Sequence, residues 1–522
     1  MTRKNRLLGV AVACCAALVL GACGNGDSGP SAGTAGPSGE PVAGGTAQML
    51  ILSDPRSLDP ASLGNQAAIT AVLGNALYGT LMTTDEAGKV EYSMAESFAT
   101  TDEGKTFALK LRPNLVFSDG TPLDAAAVKF NWDRLRDPAT ASPSAAEAAM
   151  VASTEVVDDV TLKVTLAAPV TAYAQAVVGS GMNWIGSPAA LRKGPQAFDE
   201  SPVGAGPFTL QSWSRQAEIR LVKNPRYWDA PKPYLDGITM RAVLDSDQRY
   251  NTLTSGGADV VIETDWTNLN KAEKAGLPTD LLPLSGGYFI ALNTRREPFG
   301  DVRARQAVAA ALDIDALNLA VYNGEGQVAD TLFAKSSPFY SDKPLATVDR
   351  AKAQKLFDEL AAEGKPVSFT FSTYPSTENK LIAENVQAQL GSFKNVKVQV
   401  AVVDYSQVGA MRTTHDFDAI VSAAAFQDPE PRLLANFTGN SPANMSGLVD
   451  PELDRSLLAG RTATSTEERK AAYDAAQARL TATVPAVFLT RSAPAVIAGK
   501  DVGGLVQYGA GSLLPEKLWI RK

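Results

Sequence analysis

The sequence predicts an α/β protein built of more than one domain, and three observations carry that reading. After a leader and a polar stretch, roughly 475 residues remain, more than one hydrophobic core holds. Segments with period-two hydrophobicity alternate along the chain with segments of helical character. In the C-terminal half, VSFTFST (367–373), ENKLIAENVQAQL (378–390) and NVKVQVAVV (395–403) read as strand, helix and strand. That spacing is a βαβ crossover, which requires a parallel sheet.

Taken in order, the chain opens with Arg3, Lys4 and Arg6, followed by an apolar run from Leu7 to Leu20. The run is shorter than the ~20 residues a membrane span needs and matches a signal-peptide core. Leu20-Gly21-Ala22-Cys23 then resembles the bacterial lipoprotein signal, in which the cysteine is acylated and becomes the new N-terminus. The expectation is a signal peptide over 1–22, a lipid on Cys23 and a protein held at the extracytoplasmic face of the cell membrane. Residues 23–46, almost entirely Gly, Ser, Pro and Ala after the cysteine, cannot bury enough apolar surface to fold and read as a tether.

Period-two strands are predicted at 105–111, with Phe107, Leu109 and Leu111 on one face, and at 159–166, with Val160, Leu162, Val164 and Leu166. A short apolar strand at 417–425 follows the βαβ unit and belongs beside it. Asp301 is placed to cap a helix running to about Tyr322, and Ser465 with Glu468 forms a capping box. In an open parallel sheet, ligands sit beyond the carboxyl ends of the strands, which marks the loops after Thr373 and Ala425.

The composition, 45% hydrophobic and 20% charged, is that of a globular protein, and a net charge of −8 argues against nucleic acid as a partner. Of the three cysteines, Cys14 and Cys15 lie inside the leader, so disulfides, cysteine-rich zinc sites and a thiol nucleophile are excluded from the mature chain. His415 is the one histidine and sits in a polar turn, so histidine metal clusters and Ser-His-Asp triads are excluded too. Asp245-Ser246-Asp247 lacks the further acids a cation site needs, and no phosphate-binding glycine loop is present. A paired-carboxylate hydrolase leaves no local signal and stays open, and the default reading is a binding protein, not an enzyme, with no cofactor and no resident metal.

Several stretches then line up in one order. They include LYGTLMTTD (77–85), SMAESFATTDEGKTFALKLRPNLVFSDGTPLDAAAVKFNWDRL (93–135), PVGAGPFTLQSW (202–213) and NPRYWDAPKPYLDGITMR (224–241). ALNTRREPFGDVRARQAVAAALD (291–313) and NMSGLVDPELDRSLLAG (444–460) follow. Together they resemble the extracellular solute-binding proteins, family 5, of oligopeptide/dipeptide-type ABC importers. Most of these residues have structural work: Gly204 to Pro207 make a tight turn, Asp119-Gly120 another, and Tyr227 and Trp228 read as core anchors. The resemblance implies a two-lobed periplasmic-binding-protein-like fold (type II, cluster C) with an extra inserted domain. Mapped here, lobe one comprises 47–80, 201–286 and 491–522, the inserted domain 81–200, and lobe two 287–490. It also implies a monomer that encloses a small solute by hinge closure and delivers it to ABC permease subunits. A ligand-sensing lipoprotein that signals to a membrane partner would keep the same fold.

In peptide-binding members an aspartate, three residues before the acid of an acid-Pro pair, holds the ligand's amino group. In VSAAAFQDPEP (421–431) the pair is Asp428-Pro429, and the anchoring position is Ala425. The family tryptophan of that run falls on Ser422, and the loop 372–379 contains no arginine for a ligand carboxylate. These departures point away from a free dipeptide and toward a longer or capped peptide, an oligosaccharide or a metal chelate, with Asp428 as a substitute ammonium acceptor. Candidate ligand contacts are Asn183, Trp184, Trp266, Tyr374, Phe426 and Asp428, the aromatics offering stacking faces.

Overall fold

The computed structural model describes residues 37, 39–66 and 70–521. Cys23, the signal segment 1–22 and most of the tether 23–46 lie outside them. Among the described residues regular structure begins at Thr46, and Gly44 and Gly45 already dock by donating their amides to the Tyr234 carbonyl and the Asp236 carboxylate.

Three sheets carry the molecule. The first has seven strands in the spatial order Thr279–Leu281, Ala495–Ala498, Val260–Glu263, Thr46–Ile51, Gly237–Ala242, Glu218–Lys223 and Phe208–Ser214. Its central strand Thr46–Ile51 runs parallel to both neighbours, and its outer pairs are antiparallel. The second has five strands in the order Val396–Val402, Val367–Thr373, Ala419–Phe426, Ser285–Leu292 and Ala486–Phe488. The third is an antiparallel four-stranded sheet, Ala95–Thr100, Thr106–Leu111, Thr161–Leu166 and Val151–Val156, covered by helix Ala125–Arg136.

The βαβ reading is realised in the five-stranded sheet. Val367–Thr373 and Val396–Val402 pair in parallel from end to end, joined by helix Thr377–Leu390, and Ala419–Phe426 lies parallel on the other side. The four-stranded sheet follows its alternation. Phe107, Leu109 and Leu111 face inward with Leu162, Val164 and Leu166, against Phe98 and Trp132. Helix starts are written locally: Asp124, Asp349 and Asp450 accept the third helical amide, and Ser465 with Glu468 closes the capping box.

One helix departs from expectation. The run from Asp301 is two helices, Val302–Ala311 and Ile314–Tyr322, because Asp313 caps the second and accepts from Ala316. The exposed Asp313 carboxylate satisfies an amide of the new first turn, so the chain can restart a helix there.

The turn at Gly204–Pro207 packs directly on the backbone of helix Ala71–Tyr78. A Cβ at Gly204 would lie 2.2 Å from the Leu77 carbonyl oxygen, and one at Gly206 2.4 Å from that of Ala76. Close approach, not φ, demands glycine here. Among the described residues, no helix is long and apolar enough to cross a membrane.

Candidate functional site

The chain passes between the seven-stranded and five-stranded sheets twice, at 282–284 and at 489–494. Arg491 fastens the two crossings. Its buried guanidinium donates to the carbonyls of Gly286, Thr331 and Phe333 at 3.0, 2.9 and 3.1 Å, while its own carbonyl accepts from the Trp266 indole at 2.9 Å. Desolvation lowers its pKa to about 10. At Gly286, φ is +66°, and a Cβ would meet the Ala424 carbonyl at 1.9 Å.

Further contacts bridge these layers away from the crossings. Lys274 pairs with Glu325 at 2.7 Å, and Asn270 donates to the Glu325 carbonyl at 3.0 Å. Gln427 accepts from Thr84 at 2.7 Å and donates to the Asp85 carbonyl at 2.8 Å. Thr171 donates to the Arg461 and Ala463 carbonyls at 3.0 and 2.9 Å.

Gln427 lines a small cleft of about 40 Å³, partly open to solvent, with three walls. Glu147, Gln175, Ala176, Val178 and Gly179 come from the segment that carries the four-stranded sheet. The end of strand Ala419–Phe426 and its following loop supply Ala425 to Asp428 and Glu430 to Arg432, and the turn Gly509–Ala510 closes the third side. This is the carboxyl end of a strand that is parallel to its neighbour, as the sheet rule requires.

The acids of the cleft are not equivalent. Asp428 is held by Arg469 through two bonds of 2.8 and 2.9 Å, and its Oδ1 also accepts from the Glu430 amide. Glu430, 1% exposed in its side chain, is gripped by both Nε and Nη2 of Arg461. Burial raises the Glu430 pKa and Arg461 opposes the rise. Glu147 differs: its Oε2 is shut off from solvent and, among the described residues, has no hydrogen-bond partner. Burial raises its pKa, against the opposing pull of Arg432 on the facing wall. Arg432 in turn has no carboxylate within ion-pair distance among the described residues.

Of the candidates named from sequence, Phe426 and Asp428 line this cleft. Phe426 is 3% exposed and packs edge-on against Phe333. Asn183 and Trp184 sit one layer behind the third wall, at 0% and 1% exposure. Asn183 brackets Met82, accepting from its amide and donating to its carbonyl, and donates to the Tyr508 hydroxyl at 3.3 Å. Trp184 donates to Asn75 at 3.0 Å, and Asn75 also accepts from Tyr508 at 2.9 Å. That polar network fixes the hairpin whose tip is Gly509–Ala510. Trp266 lies at the crossing, bonded to Arg491, and Tyr374 donates to the Val421 carbonyl at 3.1 Å at the end of its strand. Ala425, where the family aspartate would stand, faces the cleft and pairs with Gly286 in the sheet. Sequence reasoning did not select Glu147, Gln427, Arg432 or the Gly509 turn. Glu147 carried one faint signal, as the lone charge in the alanine-rich stretch SPSAAEAAM (142–150).

Comparison with known proteins gives this architecture its class. Residues 89–445 match the bacterial extracellular solute-binding proteins, family 5 (middle region), and the chain belongs to that family. It is a substrate-binding protein of the ABC-importer class, with the family's two-lobed α/β fold. The chain is 29% identical over 451 residues to the glutathione-binding protein GsiB of Pectobacterium atrosepticum, covering 83% of this chain and 86% of that one. Among solved structures, the binding protein AgaA from A. tumefacien R10, in complex with agropinic acid, superposes with a TM-score of 0.77 at 26% identity. That match covers 92% of this chain and 99% of the other. The Bacillus subtilis oligopeptide-binding protein AppA, in complex with a nonapeptide, shares the fold at a TM-score of 0.74 and 23% identity, over 92% and 100% of the two chains.

Proposed function

We propose that this protein captures a short peptide-like solute in the cleft between Glu147, Ala425–Arg432 and Gly509–Ala510, and hands it to the permease of an ABC importer. The observation that carries this reading is the position of the cleft. It opens at the carboxyl end of strand Ala419–Phe426, between the five-stranded sheet and the segment that carries the four-stranded sheet, and rotation at the crossings 282–284 and 489–494 would open or enclose it. The name of the GsiB relative supports a peptide-like cargo. The domain boundaries expected from sequence fit this motion, with 47–80, 201–286 and 491–522 as one body, 81–200 attached to it, and 287–490 as the moving partner.

Within this reading, Phe426 offers an apolar face to the solute, while Asp428 shapes the wall through Arg469. Asn183 and Trp184 act from behind by holding the Tyr508 hairpin, and Trp266 and Tyr374 hold strand ends. Cys23 carries the lipid that keeps the protein at the extracytoplasmic face of the membrane, as a monomer near its permease. The test is native mass spectrometry of the purified protein, followed by thermal shift against di- to octapeptides, glutathione, oligosaccharides and metal chelates. A solute at 100 times its Kd stabilises the folded state by about 2.7 kcal/mol. Peptide-class hits are expected; hits confined to sugars or chelates overturn the peptide reading.

A further inference from the structure

The structure assigns Glu147 as the acceptor for a cationic amino group of the solute, replacing from the opposite wall the carboxylate that Ala425 lacks. The inference deepens the proposed function and rests on the cleft being the binding site.

Three observations on different elements converge on it. Ala425 faces the cleft with a methyl group, so the strand end presents no charge to a ligand amine. The two acids beside it are already committed. Both Asp428 oxygens are engaged by Arg469, and Glu430 is engaged by Arg461. A ligand ammonium would have to compete with a guanidinium held by two charge-assisted bonds to reach either one. Glu147 is the remaining acid of the lining, and its Oε2 is both buried and unpartnered. A buried carboxylate oxygen without a donor is costly to the unliganded protein, and a ligand ammonium supplies the missing donor.

The surroundings fit that role. Tyr173 donates to the Glu147 main-chain carbonyl at 3.2 Å, which holds the short helix Ala145–Ala149 against the wall and aims the residue. Gln175, on the same wall, donates to the Gly88 carbonyl at 2.6 Å and carries no charge to offset the acid. Arg432 on the facing wall is near enough to act on Glu147 through space, yet lies outside ion-pair distance. The cleft thus sets a negative group on one wall against a positive group on the other. It suits a solute whose free amine lies close to an acidic group, as at a γ-glutamyl end or in a short peptide.

The experiment uses the full-length protein and two matched probe pairs, trialanine and glutathione, each against its N-acetylated counterpart. Affinity is measured by calorimetry for wild type, Glu147→Gln and Ala510→Trp. The wild type is expected to prefer the free amine by tenfold or more. Glu147→Gln is expected to weaken binding of the free amine by about 10- to 100-fold, as loss of a charge-assisted hydrogen bond does, and to erase the preference. Its unliganded melting temperature should hold or rise, since no buried charge is stranded. Ala510→Trp fills the cleft from the other wall and should abolish binding of all probes. If Glu147→Gln keeps the preference while Ala510→Trp abolishes binding, the cleft reading stands and the role of Glu147 is overturned. If Ala510→Trp binds like the wild type, the cleft reading itself falls. A wild type that binds none of the probes, or that does not distinguish the members of a pair, overturns the inference.

Discussion

Replacing Asp428 by asparagine separates a structural carboxylate from a ligand contact. In the structure Asp428 and Arg469 form a doubly bonded pair at 2.8 and 2.9 Å, with side chains only 9% and 14% exposed. Asparagine keeps one oxygen for the Glu430 amide and one Arg469 bond but removes the charge, leaving the guanidinium among Phe339, Tyr473 and the Gly460 carbonyl. Breaking a buried pair in this one-sided way costs about 3–5 kcal/mol, and the residual exposure and ring contacts place this case near the lower end, about 3 kcal/mol. The unfolding entropy of roughly 475 residues is about 1 kcal/mol per kelvin, so the melting temperature should fall by about 3 °C if the body unfolds as a unit. If the roughly 200 residues around the five-stranded sheet unfold separately, the fall is about 7 °C. Differential scanning calorimetry of the unliganded variant measures it, and Asp428→Asn with Arg469→Met should recover most of the loss because no charge is left unpaired. A melting point within 1 °C of wild type, together with a lost response to peptides, would refute this reasoning and restore Asp428 as the ammonium acceptor.

Three further outcomes are expected at other positions. Gly206→Ala drives a Cβ to 2.4 Å from a main-chain oxygen that no rotamer change can move, so the folded yield and melting point should drop sharply. Gly256→Ala, which meets nothing within 4 Å but takes φ +78°, should cost only about 1 kcal/mol by the same assay. Burial raises the Glu147 pKa above its unfolded value, so the folded state holds the proton more tightly. Stability from this group is therefore full below about pH 4.5 and is lost as pH rises through the elevated value. Arg432, Asp428 and Glu430 face it across the cleft, and the Tyr173 hydroxyl donates to its main-chain carbonyl. In urea titrations at pH 4 and pH 7, the wild type should lose more stability between the two than Glu147→Gln; equal losses would contradict the burial of this acid.

Much of the scaffold was legible because its signals are local. The βαβ unit announces itself by period and length, the capping box by Ser465 and Glu468, and the turn at Gly204 and Gly206 by its small residues. The break at Leu312–Asp313 was not legible, since the apolar pattern runs on through AVAAALDIDALNLA (307–320), and Asp313 reads as a cap only once two helices are seen. The cleft was half legible. The strand end at Ala425–Asp428 could be placed from the sheet rule, whereas Glu147 and the Gly509 turn arrive from segments far off in sequence, one on each side of it. Nor does local pattern separate a tryptophan that stacks on a solute from Trp184, whose indole donates to Asn75. That distinction is made by which wall the neighbouring strands build, a tertiary fact.

The seven-stranded sheet also dictates an order of assembly. Strand Thr279–Leu281 has no partner in it except Ala495–Ala498, which is wedged against Val260–Glu263 on its other edge. As the chain is made, Thr279–Leu281 and Val260–Glu263 therefore wait for a segment that appears about 200 residues later, a closure of high contact order. Until then two apolar edges stand open, each a template for pairing with another chain. A product that stops short of residue 498 cannot close the sheet. Ala495–Ala498 is the last strand of this sheet in chain order, so the sheet closes only once the second crossing, with Arg491, has been made.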